Sequence, residues 1–310
     1  MASSAPNTAS RGNRNKPMIG EGILSTNQRK HSYVQEGRTV GFYTDPTLCI
    51  GCKACEVACK EWNDVPDDGF HWSGNSYDHT DALGASTWRH VLFVEQNRAR
   101  GQQLAGPMSG DMLSDLTEHE DPFRWIFLSD VCKHCENAGC LEACPTGSIV
   151  RTETGSVLVQ NDVCNGCGYC VVGCPFGVID RRKKPLKQAG GAFKCTFCYD
   201  RQVSGLTPAC AKACPTESIL FGPLDELRPY AEKRVAHLRA NGYPDAQNYD
   251  PQDTSVGGIH AFFMLLGEPE AYGLPPKPQV PTIYLRAAWT SAFATAAAAV
   301  LASLAAFWFL

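Results

Sequence analysis

An excess of charge of either sign is what this sequence most plainly lacks. Its 310 residues hold 28 Lys and Arg against 32 Asp and Glu, a formal net charge of −4. That leaves no basic footprint for nucleic acid. No Gly-rich loop suited to cradling a phosphate is present, and no Ser/His/Asp or paired-carboxylate arrangement stands out, so no substrate pocket of its own is signposted. Met1 to about Arg38 is polar and has no apolar h-region, which argues against a secretory signal peptide. This stretch, 1–38, is expected to be extended, either loose or laid along a partner. The pair Arg181-Arg182 is internal and does not read as a twin-arginine signal. Long charge-free apolar runs are also missing until Ala288. Finally, no cysteine stands alone.

The sixteen cysteines fall into four runs of four. They are Cys49, Cys52, Cys55, Cys59; Cys132, Cys135, Cys140, Cys144; Cys164, Cys167, Cys170, Cys174; and Cys195, Cys198, Cys210, Cys214. The last three runs close with Cys-Pro, at Pro145, Pro175 and Pro215. The third run, C-x2-C-x2-C-x3-C-P, is the pattern that holds cubane clusters in bacterial ferredoxins. A cubane needs one thiolate at each of four irons. Three closely spaced cysteines on a tight loop can wrap one face of the cube, and the fourth must come from elsewhere. Glycines between ligands, such as Gly51, Gly166 and Gly168, allow the backbone to turn its N–H groups toward an anionic object. Four runs predict four [4Fe–4S] clusters.

In two-cluster ferredoxins the fourth cysteine of each run serves the other cluster. The second and third runs are close in sequence, with the strand-like Gly155–Gln160 between them, and so form one such unit. Spacing alone does not force the exchange, but the ferredoxin pattern gives four ligand sets. Cluster 1 would use Cys49, Cys52, Cys55 and Cys214. Cluster 2 would use Cys59, Cys195, Cys198 and Cys210. Cluster 3 would use Cys132, Cys135, Cys140 and Cys174, and cluster 4 Cys144, Cys164, Cys167 and Cys170. Two other uses of the cysteines compete. Zinc takes C-x2-C pairs, but separated by a longer loop and often with histidine; only the fourth run resembles that. Disulfide scaffolds are short secreted chains with more than about 8–10% cysteine, against 16 in 310 here.

Ala288–Leu310 carries no charge. As a helix it would be about 35 Å long, against a hydrocarbon core of about 30 Å. Trp289 and Trp308 lie near its ends, where indole rings favour the interface. Small residues along it (Ala292, Thr295, Ala296, Ala299, Ser303) suit close packing on another membrane helix. A transmembrane anchor in the lipid bilayer is expected over 282–310; a buried C-terminal helix is the alternative. Between the clusters, 64–125 reads as an insertion with strands at Trp88–Glu95 and Trp125–Leu128. Its His71, His79 and His90 lack the paired spacing of metal ligands. Arg181–Lys187 is a charge run, read as a solvated loop with docking to an acidic or membrane surface as the alternative. The segment 223–281 reads as an amphipathic helix from Leu224 to Asn241, capped by Gly242, followed by a tether. Lys53, Lys133, His134 and Lys194 adjoin ligands, where a cation would favour a reduced cluster or merely solvate the surface.

The runs CIGCKACEVACKEWND, CKHCENAGCLEACPTGSIV, CNGCGYCVVGCPF and CTFCYDRQVSGLTPACAKACPTESILFG resemble the four-cluster electron-transfer subunits of molybdopterin oxidoreductases. STWRHVLFVE, AEKRVAHLRANGY and VGGIHAFFMLLGEPEAYGLPP resemble, within that group, the iron–sulfur (beta) subunit of membrane-bound formate dehydrogenase. The resemblance covers about Val40 to Pro276 and continues into the C-terminal apolar segment. It implies an α+β fold of two pseudo-symmetric ferredoxin-like cluster-binding units (39–222), a large insertion and a C-terminal transmembrane helix. It also implies a non-catalytic role beside a molybdopterin (molybdenum or tungsten) catalytic subunit that oxidises formate, with a membrane cytochrome b subunit receiving electrons for quinone. The family's cluster domain lies on the outer, periplasmic face. Arg286, the one basic residue flanking the helix, points to the opposite face by the positive-inside rule. Two further readings stay open at this stage: the same relay in another molybdopterin oxidoreductase or a hydrogenase, and a zinc-binding scaffold with no redox role.

Overall fold

The computed structural model describes residues 37–69, 72, 74, 78–80, 82–97, 123–182 and 190–309. Residues 1–36, 98–122, His71 and 183–187, on which the extended N-terminal stretch and most of the charge run were expected, lie outside the described residues. The strands are β1 (Val40–Thr44), β2 (Arg89–Asn97), β3 (Phe123–Val131), β4 (Ile149–Arg151), β5 (Val157–Val159), β6 (Asp180–Arg181), β7 (Ala192–Phe193), β8 (Ile219–Pro223), β9 (Ala246–Tyr249) and β10 (Ala261–Leu266). The helices are α1 (Ala54–Asn63), α2 (Gly139–Glu142), α3 (Tyr169–Val172), α4 (Tyr199–Val203), α5 (Ala209–Ala213), α6 (Leu224–Ala240) and α7 (Leu285–Phe309).

The frame is a four-stranded sheet in the order β8-β1-β10-β9. β1 runs parallel to β10, with Phe42 beside Ala261, and antiparallel to β8, with Phe42 opposite Phe221. Every residue of β1 (VGFYT) and β10 (AFFMLL) is buried. Their apolar runs do not alternate because both faces of the sheet are covered. On one face Phe42 meets Phe197 and Phe221, with ring centroids 4.7 and 5.0 Å away, among the cysteine-bearing loops. On the other, Tyr43 meets Tyr230 of α6 at 5.7 Å.

This sheet corrects one expectation. The stretch after α6 is not a tether. It supplies β9 and β10, and β10 pairs directly with β1 at the start of the core. The run Phe262–Leu266 is too apolar to stand in a solvated linker, and it is buried throughout. The helix itself forms as expected. Leu227, Ala231, Val235 and Leu238 recur at helical spacing and are buried, and Gly242 just beyond the end takes a left-handed φ of 92°. The two strands expected in the insertion pair as a long antiparallel hairpin, Arg89 opposite Val131 through Asn97 opposite Phe123.

α7 is long and apolar enough to cross a membrane. The span Pro281–Trp308 has mean hydropathy 1.7, and none of it is buried against the rest of the described chain. The buried-helix alternative is therefore not met. The segment is rooted on the body: Ser255 Oγ accepts from the Val280 N–H at 2.6 Å, and Thr282 hydrogen-bonds Glu142 of α2.

One buried ion pair ties α6 to the loop that leads into Cys49. Arg234 and Asp45 stand 2.7 Å apart with side chains 0% and 3% exposed. Asp45 also accepts from the Thr47 N–H at 2.9 Å, and Arg234 donates to Thr47 Oγ1 at 2.9 Å. Removing one partner strands the other charge in the core, at a cost of about 3–5 kcal/mol. Asp45→Ala should lower stability by that much in anaerobic chemical denaturation. A double variant with both residues apolar should lose less than the single one; equal, additive losses would show that the pair is not coupled.

Candidate iron–sulfur centre

Each cysteine run folds as a tight loop leading into a short helix. α1 carries Cys55 and Cys59, α2 carries Cys140, α3 carries Cys170 and α5 carries Cys210. The residue just before the second cysteine is left-handed in every run: Gly51 at φ 68°, His134 at 44°, Gly166 at 72° and Phe197 at 59°. This conformation disfavours residues with a Cβ. Runs one and three therefore use glycine. Runs two and four hold a buried aromatic instead, and His134 and Phe197 lie against each other with ring centroids 4.1 Å apart. Such turns point successive N–H groups inward, the geometry of an anion nest. The Phe197 N–H lies 3.3 Å from Cys195 Sγ and the Ala192 N–H 3.4 Å from Cys164 Sγ.

All sixteen thiols are free. The first and fourth runs meet through α1 against α5, and the second and third through α2 against α3. There the backbones approach so closely that a Cβ on Gly139 would stand 2.3 Å from the Gly173 carbonyl. Cys49 has Cys55, Cys214 and Cys52 within electrostatic reach. Cys59 has Cys210 and Cys198, and Cys195 has Cys59, Cys198 and Cys210. Cys135 has Cys132, Cys174 and Cys140, while Cys170 has Cys164, Cys167 and Cys144. Thiols of the first and fourth runs are thus neighbours, as are thiols of the second and third; the four ligand sets expected from the ferredoxin pattern are called quartets one to four below. The third borders a small cavity whose walls include Cys132, Cys135, Cys140 and Cys174.

Between these expected sets, neighbouring thiols run in order from the first to the fourth. Cys55 adjoins both Cys210 and Cys59, linking the first to the second. Cys195 adjoins Cys132, linking the second to the third. Cys140 adjoins Cys170, linking the third to the fourth. Exposure follows the line. Cys52 in the first quartet and Cys167 in the fourth are exposed, whereas Cys59, Cys195, Cys198 and Cys210 of the second are all buried.

Burial governs the thiol chemistry. It pushes Cys49, Cys55 and Cys170 up to about 11 and Cys140 up to about 12, with neighbouring thiols adding to the effect. Cys144 is the exception: burial raises it, but hydrogen bonds from Ser148 (3.2 Å) and Thr146 (3.6 Å) outweigh that and bring it to about 7. Thiolates gathered at such sites need a strongly cationic centre. Among the described residues no three His, Cys, Asp or Glu side chains converge as they would on a single metal ion. A cubane asks for a wider arrangement, since each thiolate binds a different iron. The donor set of four free thiols, inward N–H groups and nearby hydroxyls fits that group.

Of the four cations the sequence placed beside ligands, Lys194 is the one whose charge is balanced by thiols, while its Nζ also donates to the Val157 and Cys195 carbonyls. It is buried; desolvation opposes its charge, but Cys132, Cys140 and Cys195 more than restore it. Lys53 is paired with Asp78 at 3.0 Å and Lys133 with Asp130. Burial, with Lys194 nearby, pushes His134 well below the usual imidazole range, so it is neutral and accepts from the Val157 N–H at 3.0 Å. His90 sits 3.1 Å from the Asp78 carboxylate and His79 stacks on Trp72 at 5.2 Å, neither within a metal-binding group. Sequence reasoning missed Arg89, whose side chain is buried among Cys55, Cys59, Cys195 and Cys210. The signal was available: Arg89 lies in register with Val91 on the inward face of an alternating strand, where a charge has no business without a partner.

Comparison with known proteins agrees with this chemistry. A 4Fe-4S dicluster domain model matches residues 48–148 and another matches residues 123–224. The protein is 40% identical over 242 residues to the iron-sulfur subunit of the nitrate-inducible formate dehydrogenase of Escherichia coli (strain K12), covering 77% of this sequence and 73% of that one. It is 40% identical over 240 residues to the formate dehydrogenase iron-sulfur subunit of Haemophilus influenzae, covering 76% and 68%. It is also 35% identical over 189 residues to a subunit of the anaerobic dimethyl sulfoxide reductase of Escherichia coli (strain K12), covering 61% and 75%. The shared dicluster domains and the length of these matches place the protein in the family of formate dehydrogenase iron–sulfur subunits.

Proposed function

We propose that this protein relays electrons through four [4Fe–4S] clusters from a molybdenum- or tungsten-pterin subunit that oxidises formate to a membrane cytochrome b that serves quinone. What supports this reading is the gathering of sixteen free thiols in neighbouring runs, with Cys52 and Cys167 exposed and an apolar helix rooted beside α2. When bound, the clusters supply one-electron acceptance and donation. The polypeptide itself performs no bond chemistry in this scheme. Its residues fix the spacing of the carriers, keep water from the middle of the line and present its ends to partners.

The ligand sets are those the quartets suggest: Cys49, Cys52, Cys55, Cys214; Cys59, Cys195, Cys198, Cys210; Cys132, Cys135, Cys140, Cys174; and Cys144, Cys164, Cys167, Cys170. Direction follows from the anchor. Val280 lies against Gly139 and Thr282 bonds Glu142, both on α2, so the membrane end is the third and fourth quartets. Exposed Val163, Tyr169 and Val172 beside the fourth quartet suit an apolar partner surface there. Exposed Ile50 and Val57 flank the first quartet, the end left for the catalytic subunit. Formate is favoured over other substrates because the match to formate dehydrogenase subunits spans 77% of the sequence, against 61% for the dimethyl sulfoxide reductase subunit. As domains, we read 39–222 as two pseudo-symmetric ferredoxin-like units with 64–125 inserted, 223–281 as the closing part of the same core, and 282–310 as the bilayer anchor.

Two experiments test this. In the anaerobically purified complex, iron and acid-labile sulfide assigned to this subunit should each match its number of cysteines. Cys214→Ser should then alter the electron-paramagnetic signal of the cluster held by Cys49, Cys52 and Cys55 and spare the one held by Cys195, Cys198 and Cys210. The reverse pattern would mean that each run keeps its own cluster.

A variant ending after Pro281 keeps Val280 and every cysteine. It should retain its iron and pass electrons from formate to an artificial acceptor, yet lose most quinone reduction. Quinone reduction at the full rate would show that α7 is not what couples the line to the membrane.

A further inference from the structure

Arg89 lies on β2, inside the hairpin that interrupts the first and second cysteine runs, and its side chain is 1% exposed. Only one arm of its guanidinium is used by the protein. Nη1 donates to Ser129 Oγ at 2.9 Å and to the Ser129 carbonyl at 3.2 Å. Nε and Nη2 are buried without a hydrogen-bond partner. The guanidinium carbon stands 4.9 Å from the centroid of the Phe42 ring. Burial works against its charge, and the groups that restore it most are thiols: Cys210, Cys55, Cys195 and Cys59. Cys55 belongs to the first quartet and the other three to the second. Ser129 Oγ, which accepts from Arg89, also lies 3.2 Å from Cys55 Sγ.

A permanently charged, fully buried guanidinium with two free donors is a costly group to keep. Arginine does not shed its proton, so the cost must be met by an anion. The anions this core offers are the thiolates and the sulfides they hold. Each cluster gains one negative charge on reduction, with no bond formed or broken. A fixed cation with N–H donors at its sulfurs therefore favours the reduced state and raises the potential.

We propose that Arg89 is the shared counter-cation of the first two clusters, its free Nε–H and Nη2–H donating to their sulfur atoms and its charge holding both at higher potential than they would otherwise have. This rests on the cluster reading above. The electron itself comes from the catalytic subunit and leaves toward the third cluster; Arg89 changes only how far the first two are reduced at equilibrium.

The test is an anaerobic redox titration of the whole complex, followed by paramagnetic resonance, with iron content measured on the same samples. Wild-type iron and four resolved signals establish the cluster reading independently. Arg89→Gln, iron-replete, should disfavour reduction of the first two clusters at least tenfold, a downward shift of about 59 mV or more for a one-electron couple, and leave the other two unchanged. Arg89→Lys should keep most of the wild-type potentials, because it retains the charge. If Arg89→Gln fails to hold iron, Arg89→Lys decides: full iron with near wild-type midpoints supports the counter-cation, and iron loss in both variants overturns it in favour of a purely structural fork. Iron-replete Arg89→Gln with four unshifted midpoints, or with all four shifted alike, also overturns it.

Discussion

The structure depends on gathering sixteen thiols, half of them buried where water cannot stabilise their ionised form. Burial raises most of the resolved thiols, to about 11 or 12 at Cys49, Cys55, Cys140 and Cys170. A protein that did this without a compensating centre would hold inert, protonated cysteines. Four-iron centres reverse the balance, because a thiol that coordinates iron releases its proton to solvent and binds as the thiolate. Cluster assembly and folding of the loops are thereby linked. The short helices α2, α3 and α5, of four or five residues each, are too brief to persist by themselves. What holds them is the object they surround and the frame behind it.

That frame is the four-stranded sheet with α6 on its back. β1 leads into the first run and β8 follows the fourth, so the sheet joins these two runs. β10 then pairs with β1 from the far end of the sequence. The His260 N–H and the Ala261 N–H both donate to the Lys133 carbonyl, at 2.9 and 3.1 Å, which stitches the second run to the same strand. One sheet thus fixes where the first and fourth runs sit relative to the second.

The cysteine runs, the strands β2 and β3, α6 and the apolar C-terminal helix were legible because each carries a local signal. Ligand spacing, period-two alternation, helical periodicity and a charge-free run need no knowledge of the rest of the sequence. β1 and β10 were not legible as a pair. Both are buried on two faces, so neither alternates, and their pairing is parallel and separated by most of the sequence. β10 also follows Gly257-Gly258 and precedes a stretch rich in proline and glycine, and that composition masked a core strand as linker. The cationic neighbours of the ligands were misjudged for a different reason. Adjacency in sequence named Lys53, Lys133 and His134, but carboxylates neutralise the first two and burial the third. Arg89 is distant in sequence from every thiol it faces, so only the fold brings it there.

The charges that remain are placed between quartets rather than at their ends. Arg89 faces thiols of the first and second, and Lys194 faces thiols of the second and third. Both are almost wholly buried, at 1% and 3% exposure, where a charge acts through a low dielectric and is poorly screened by salt. A cation shared by two neighbouring carriers lowers the cost of an extra electron on either one. It therefore changes the energy of a hop less than the energy of the pair as a whole. The interior of the line is stabilised for holding charge, while its exposed ends, at Cys52 and Cys167, are left to be adjusted by whatever surfaces cover them. In such a layout the protein sets the middle of the wire by itself, and its partners set the two ends.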